Sequence, residues 1–342
     1  MKNIKTIFLP FAFLTTVLFS LLYLGSCDDG PTEPEIEPGR RDYTWTEDTL
    51  DLLSTEYLTF KDIVGSSPQD VWLGTLDASK GCGLWHYDST WKRFDFPGYA
   101  ATAIWLFEDN TLFAGTKANQ IYKMENNVWT ETYNLSLEGY DDILIFGFYA
   151  FSKTDIYAVG WATTEDYQYK GIILHFDGNS WEFIKISDII DGGFHKIVYQ
   201  KDINTFFIHG TIDNGNLDVL YKFDGKEISE LMSTYYEIGI SELNGIIYFN
   251  SQKKVYKYIN NSLQLWKDFN GTPFRTAFVG RSETDFFNRA DGGLGHYNGK
   301  DFTVVYKTNL TIYTKIIFED EIFVAAEDYD NRKHIIIHGK LK

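Results

Sequence analysis

The strongest constraint on the fold is a short strand pattern that recurs along the chain. In its clearest copy, residues 155 to 160 form a β-branched and aromatic run that ends at a glycine, which is typical of a β-strand. Variants of this run recur at intervals of roughly 36 to 50 residues, the range expected of propeller blades. The seven copies begin at Asp70, Asn110, Asp155, Asn204, Gly245, Asp285 and Glu321.

Each copy is accompanied by further strand and turn signals. After the third copy, a second strand runs from Gly171 into the turn Asp177-Gly178, and Trp181 starts another strand. Asp-Gly, Asn-Gly and Asn-Asn turns recur in step, and these residues accept the positive φ of a tight hairpin. One more strand precedes each copy, and no stretch has helical periodicity. The pattern predicts an all-β fold, a seven-bladed β-propeller of four-stranded antiparallel blades.

The last repeat lacks its outer strand, because the chain stops at Lys342 soon after the hairpin turn. The segment Tyr43 to Glu47 has the pattern of a β-strand that could serve as this outer strand. An unpaired blade edge would be an aggregation hazard. We therefore predict that this N-terminal strand closes the ring.

The N-terminus has the features of a leader. A short basic region precedes an apolar run from Ile7 to Leu24, and the following Leu24-Gly25-Ser26-Cys27 resembles the bacterial lipobox. This resemblance implies cleavage before Cys27 and anchoring through its acyl chains; the alternative is an uncleaved N-terminal helix with an incidental cysteine. The Pro/Glu-rich stretch that follows predicts an extended tether. We expect a signal peptide over 1–26, a tether over 27–40 and one propeller domain over 41–342.

Charge and cysteine content bear on compartment and partners. We expect an outer-membrane anchor on the periplasmic or the surface-exposed face. Asp28 and Asp29 resemble the surface-export signal of lipoproteins in the Bacteroidetes lineage, and this resemblance implies the outer face. A formal net charge of −17 argues against nucleic acid as a partner. Cys82 has no disulfide partner once Cys27 is acylated, so we interpret it as a small buried or loop residue. We expect a monomer.

Two groups of bacterial propellers resemble these repeats. Asp70 to Thr75 with Gly83 to Asp88 is similar to the two-component-regulator repeat, and the blade at 155–181 is similar to kelch or galactose-oxidase-like repeats. Both resemblances imply a propeller and little about activity. The turn at 176–181 departs from the sialidase Asp box, because Gly178 directly follows Asp177 and the leading serine is absent.

The sequence shows no convincing catalytic set. Neighbouring carboxylates are expected by chance on the solvated loops of so acidic a chain. His86, His175 and His296 occupy equivalent repeat positions, where we expect hydrogen bonds between blades. The segment Asp213 to Asp218 lacks the alternating ligands of a calcium loop. We predict no metal and no cofactor.

Candidate ligand-binding residues lie in the loops that should converge at the propeller mouth. The insert Thr163 to Lys170 carries Glu165, Asp166, Tyr167 and Tyr169, and the corresponding loop of the last blade carries Tyr329. An aromatic residue also stands before each innermost strand, followed by a variable residue. These aromatics are Phe60, Tyr99, Phe146, Phe194, Tyr236, Phe274 and Tyr313. The candidates from this set are Lys61, His195, Glu237, Arg275 and Tyr313; the alternative is that the aromatics only pack between blades.

Three functions remain open from sequence. The first is a non-enzymatic, lipid-anchored binding or scaffold protein with a glycan or protein ligand at the mouth, since aromatic faces suit sugar rings. The second is a polysaccharide-active hydrolase or lyase, and the third is a sensor or assembly platform. Convergence of the five candidates with two carboxylates would favour an enzyme. A broad flat ring would favour protein binding.

Overall fold

A computed structural model of the chain describes residues 38–50, 58–77, 83–186 and 191–342. The leader with Cys27, most of the tether, and Cys82 lie outside these ranges. Residues 38–342 form one compact unit. No helix in the described ranges is long and apolar enough to cross a membrane.

The described chain folds into seven four-stranded antiparallel sheets arranged as blades, which confirms the predicted propeller. The first strand is β1 (Tyr43–Thr49). Blade 1 is formed by β2 (Leu58–Ser67), β3 (Asp70–Asp77), β4 (Leu84–Tyr87) and β5 (Trp91–Arg93). Blade 2 is formed by β6 (Ala103–Leu106), β7 (Leu112–Gly115), β8 (Gln120–Glu125) and β9 (Val128–Asn134).

The next three blades follow the same order from the inside outwards. Blade 3 is formed by β10 (Asp142–Ser152), β11 (Asp155–Thr163), β12 (Tyr169–Phe176) and β13 (Trp181–Phe183). Blade 4 is formed by β14 (Gly192–Gln200), β15 (Thr205–Ile212), β16 (Leu217–Phe223) and β17 (Ile228–Thr234), with a 3-10 turn at Lys201–Ile203. Blade 5 is formed by β18 (Gly239–Leu243), β19 (Ile246–Ser251), β20 (Lys254–Ile259) and β21 (Ser262–Asp268).

The last two blades complete the ring. Blade 6 is formed by β22 (Phe274–Ser282), β23 (Asp285–Ala290), β24 (Gly293–Tyr297) and β25 (Phe302–Lys307). Blade 7 is formed by β26 (Thr311–Ile317), β27 (Glu321–Asp328), β28 (Lys333–Leu341) and β1. The N-terminal strand pairs antiparallel with β28 from Tyr43 opposite Leu341 to Thr49 opposite Ile335, so the predicted closure is confirmed.

The hydrophobic core is divided among the interfaces between blades. Seven clusters of buried apolar side chains lie in the described residues, and each joins two neighbouring blades. The cluster between blades 3 and 4, for example, joins Val159 and Ile173 to Phe194 and Ile208. Because the second strands have buried side chains on both faces, they read as continuous apolar runs in the sequence.

The repeated histidines stabilise single blades. His86, His175 and His296 each place Nε2 within 2.7 to 2.8 Å of the aspartate that begins the second strand of the same blade. In blade 1 the partner is Asp70, and the imidazole also stacks on Trp72 at 3.9 Å between ring centroids. The expectation of hydrogen bonds between blades was therefore wrong for His86 and His175, whereas His296 also accepts a hydrogen bond at Nδ1 from Arg41 Nε at 3.1 Å, next to the closing strand of blade 7. The hairpin brings the second and third strands side by side, so the aspartate of one faces the histidine of the other.

Candidate ligand-binding cleft

A cleft of about 600 Å³ opens between blades 3 and 4, on the face of the propeller where the loops enter the inner strands. Its lining consists of Trp161, Tyr167, Tyr169, Asp191, Gly192, Gly193, His195, Thr211, Asn214 and Gly215. Three of these residues, Tyr167, Tyr169 and His195, are sequence-predicted candidates. The cleft therefore combines aromatic side chains with a few polar groups, as small-molecule sites do.

The insert of blade 3 positions the tyrosines. The backbone N–H of Tyr167 donates to Thr164 O at 2.9 Å, and that of Glu165 donates to Asp141 Oδ2 at 2.8 Å. Tyr167 has a φ of 59°, a left-handed conformation that is uncommon for a bulky residue. Its side chain is 76% exposed. Such backbone strain on an exposed aromatic is often found at functional sites.

Trp161 forms the aromatic wall between the two blades. Its ring is stacked on Phe146 at 4.1 Å between centroids and meets His195 edge-on at 5.4 Å. A Cβ atom at Gly193 would lie 2.4 Å from the indole, so only glycine allows the ring to approach this backbone so closely. Sequence reasoning missed Trp161 because the strand motif ended at Gly160. A tryptophan directly before the unusual insert was the available signal.

His195 forms the polar part of the cleft with Thr211. It is the extra residue of a β-bulge, because Phe194 pairs with Gly210 and Lys196 pairs with His209. Its Nε2 lies 2.9 Å from Thr211 Oγ1. Burial, with a smaller contribution from His209, lowers the pKa of His195 to about 4. The imidazole is therefore neutral at pH 7 and can both donate and accept hydrogen bonds.

A second polar chain supports this histidine. His209 Nε2 lies 2.9 Å from Asp218 Oδ2, and the same oxygen accepts a hydrogen bond from the backbone N–H of Ile238 at 2.8 Å. The rings of His195 and His209 are 5.5 Å apart. Asp218 thus orients His209, whose ring lies beside that of His195.

The same bulge recurs in blades 1, 3 and 7, where the extra residues are Lys61, Phe146 and Tyr313. Five of the seven proposed aromatics lie within the inner strands, not before them. Tyr99 and Tyr236 lie outside strands and are 46% and 58% exposed. The proposed ring of equivalent aromatics was therefore wrong, because the bulges shift the side-chain alternation by one residue.

The other candidates have separate partners. Tyr313 donates to Glu327 Oε2 at 2.9 Å and is hydrogen-bonded to Tyr329, so these two predicted tyrosines meet in blade 7. Glu237 accepts a hydrogen bond from Thr276 Oγ1 at 2.9 Å.

Arg275 forms an ion pair with Asp291. Glu165 and Asp166 are exposed on the insert and are not among the residues lining the cleft. Four of the five residues tested for convergence, His195, Glu237, Arg275 and Tyr313, thus each contact a different partner.

Two side chains of opposite charge, Lys196 and Asp62, also lie on inner strands of the ring and influence each other. Lys196 Nζ donates to Ile240 O of blade 5 at 3.0 Å, and Asp62 Oδ2 accepts from Ile104 N of blade 2 at 3.1 Å. Burial raises the pKa of Asp62 and lowers that of Lys196, and each partly offsets the shift of the other. Lys196 is nevertheless exposed to solvent, as expected for a side chain that lines the central channel of a propeller.

The sequence-based candidates Lys61 and His195 are each the residue directly before a member of this pair. Asp62 directly follows Lys61, and Lys196 directly follows His195. Period-two alternation cannot reveal them, because the bulge changes which residues face the axis. In the described ranges, no group of three histidine, cysteine, aspartate or glutamate side chains could hold a metal ion.

Comparisons with solved structures show the fold. BBS1N, solved in complex with ARL6DN, is similar with a TM-score of 0.56 and 13% identity, covering 89% of this chain and 98% of that one. A luciferin-regenerating enzyme has a TM-score of 0.43 and 13% identity, covering 69% of this chain and 89% of that one.

A third similar structure is the extracellular domain described as that of a hybrid two-component system of B. thetaiotaomicron. It has a TM-score of 0.38 and 12% identity, covering 83% of this chain and 45% of that one. No family model matches the chain, and no curated protein matches it. The likeness to BBS1N at this level of identity supports the propeller architecture alone.

Proposed function

We propose that this protein is a lipid-anchored envelope protein that binds a glycan in the cleft between blades 3 and 4. The observation that carries the proposal is the placement of Trp161, Tyr167 and Tyr169 around one cleft whose polar groups include His195 and Thr211. Aromatic faces cover the apolar faces of sugar rings, while neutral donors and acceptors bind the hydroxyls.

The size of the cleft agrees with this ligand class. About 600 Å³ lies within the usual range of small-molecule sites. Tyr167 is exposed at the rim, whereas Trp161 and Tyr169 are half-buried. A short oligosaccharide could therefore stack on the half-buried rings and extend along the exposed one. The membrane anchor and the outer-membrane location are parts of the proposal that rest on the N-terminal sequence.

A glycan array probed with the full chain tests the proposal. We expect a defined set of glycans to bind the wild-type protein. Trp161→Ala should weaken binding by about 10-fold to 100-fold, since a stacked aromatic is worth about 1–3 kcal/mol. Tyr235→Ala is the matched control, because Tyr235 is 78% exposed but does not line the cleft. Absence of any glycan ligand, or equal binding by the two variants, would contradict the proposal.

The alternative is a polysaccharide lyase acting in the same cleft. The placement of His195 in the cleft, with Nε2 2.9 Å from Thr211 Oγ1, is the observation that favours it, because an imidazole can accept the proton next to a sugar carboxylate. A lyase would release an unsaturated product from a uronic-acid polymer, which absorbs ultraviolet light. Product formation that is lost in His195→Gln would establish this function in place of simple binding.

A further inference from the structure

A second cleft of about 260 Å³ lies between blades 6 and 7, and two arginines contribute to its wall. Its lining consists of Arg275, Arg289, Ala290, Asp291, Gly292, Gly293, Thr308, Asn309, Leu310, Thr311 and Ile312. The cleft opens on the same propeller face as the aromatic cleft, since both are built from inner-strand starts and second-strand ends. Polar side chains predominate here, and no aromatic residue is among those lining it.

An irregular inner strand places the two arginines together. In β22 the pairing with β23 passes from Phe274 opposite Ala290 directly to Phe278 opposite Asn288. Three residues, from Arg275 to Ala277, therefore bulge opposite Arg289. The buried Asn288 stabilises this bulge by donating from Nδ2 to Thr276 O at 3.2 Å.

The charges of this cleft are not balanced within it. Arg275 forms an ion pair with Asp291, and Lys253 Nζ lies 3.5 Å from the same carboxylate. Arg289 is half-buried and makes no hydrogen bond or ion pair with any described residue. A half-buried guanidinium without a counter-ion is costly, so this position favours an anion.

The neighbouring channel adds positive charge. Lys315 Nζ donates to Ala277 O at 2.8 Å, so its ammonium lies against the same bulge. Burial is the main cause that lowers the pKa of Lys315 to about 8, and Lys196 and Arg289 lower it further while Glu237 opposes them. Neighbouring cations thus lower the pKa of Lys315, although the net charge of the whole chain is −17. A locally positive site in so acidic a protein attracts an anionic group.

We propose that the cleft between blades 6 and 7 binds a small oxyanion, the carboxylate, sulfate or phosphate group of a ligand, through Arg289 with Arg275. The planar guanidinium matches these groups in a two-pronged geometry. Thr308 and Thr311 provide hydroxyl groups at the edge of the cleft. This site is distinct from the glycan cleft. It binds a charged group through arginines, whereas the cleft between blades 3 and 4 binds sugar rings by stacking on aromatic side chains.

Titration calorimetry on the full chain at constant ionic strength tests this site. The probes are glucuronic acid against neutral glucose, and sodium sulfate and sodium phosphate against sodium chloride. We expect at least one oxyanion to bind while glucose and chloride do not, and which probe binds identifies the source of the anion. Failure of all three oxyanions to bind would overturn the proposal.

Variants locate the binding. Arg289→Gln should raise the Kd for the oxyanion by about tenfold or more, because a charge-assisted hydrogen bond is lost. Arg289→Lys, which keeps the charge but not the fork, should retain part of the affinity. Arg332→Gln is the control, since this exposed arginine of blade 7 does not line the cleft. Oxyanion binding that is unchanged in Arg289→Gln would place the anion elsewhere and overturn the proposal, whatever the glycan array shows.

Discussion

At the scale of single residues, the departures from the repeat carry the candidate chemistry. His195, Trp161 and Tyr167 each differ from their counterparts in other blades, and they meet in one cleft. The repeated His86, His175 and His296 instead each bind an aspartate within their own blade. The sequence identified His195 and Tyr167 as unusual because they interrupt a regular pattern. It could not show that they are neighbours, because contacts across blades are not encoded in strand periodicity.

His195 should make stability depend on pH. Its pKa is lowered from 6.5 to about 4 in the folded protein, so between these values the unfolded chain binds the additional proton. The contribution of neutral His195 to the free energy of unfolding is fully present above about pH 6.5 and is lost as the pH falls towards 4. Its full size is on the order of 3 kcal/mol.

Urea denaturation at several pH values measures this effect. His195→Gln cannot take up the proton, so the difference in free energy of unfolding between wild type and variant should change between pH 6.5 and 4. A difference that stays constant over this range would show that His195 does not gain a proton on unfolding.

At the scale of elements, the closing strand and the bulges decide the shape of the ring. Pairing of β1 with β28 joins the two ends of the chain in blade 7, and Trp45 packs over Gly339. The closing strand was predictable because a missing outer strand and an unassigned strand stood at opposite termini. The bulges at Lys61, His195 and Tyr313 were not predictable, since one additional residue leaves no signature in an apolar pattern.

Deleting residues 40–50 should destabilise the whole propeller. The deletion removes β1, exposes the edge of β28 and uncovers the cluster that contains Tyr43. We expect the Tm to fall by about 10 °C or more, since a chain of this size loses roughly 2 °C for each kcal/mol.

Deletion of residues 28–37 is the control, because it shortens the tether and leaves the described strands intact. Circular dichroism melting curves measure both changes. Equal Tm values for wild type and the 40–50 deletion would contradict closure by β1.

At the scale of the whole molecule, the propeller presents two different clefts on one face. The aromatic cleft lies between blades 3 and 4, and the arginine-containing cleft lies between blades 6 and 7. A rigid ring keeps the two at a fixed separation, so a ligand with both a sugar face and an anionic group could engage each in turn.

The anchor itself is tested at Cys27. Cys27→Ser should abolish incorporation of labelled palmitate in a bacterial host and move the protein from the membrane to the soluble fraction, because a thioether-linked lipid needs the thiol. Cys82→Ser is the matched control and should keep both the label and the membrane fraction. Membrane association of Cys27→Ser equal to that of wild type would contradict the lipid anchor.

The sequence by itself determined the number of blades and the closing strand. A strand pattern repeated seven times can satisfy its backbone hydrogen bonds and bury its apolar faces only by packing blade against blade.

Only the tertiary structure decided which unusual residues meet. Trp161 and His195 come from adjacent blades, and Arg275 and Arg289 face one cleft because a bulge in β22 lies opposite Arg289 of β23. Closing the ring brings residues distant in the chain into contact, and bulges change the face to which a side chain points. Both effects depend on three-dimensional packing, which the order of residues along one strand does not express.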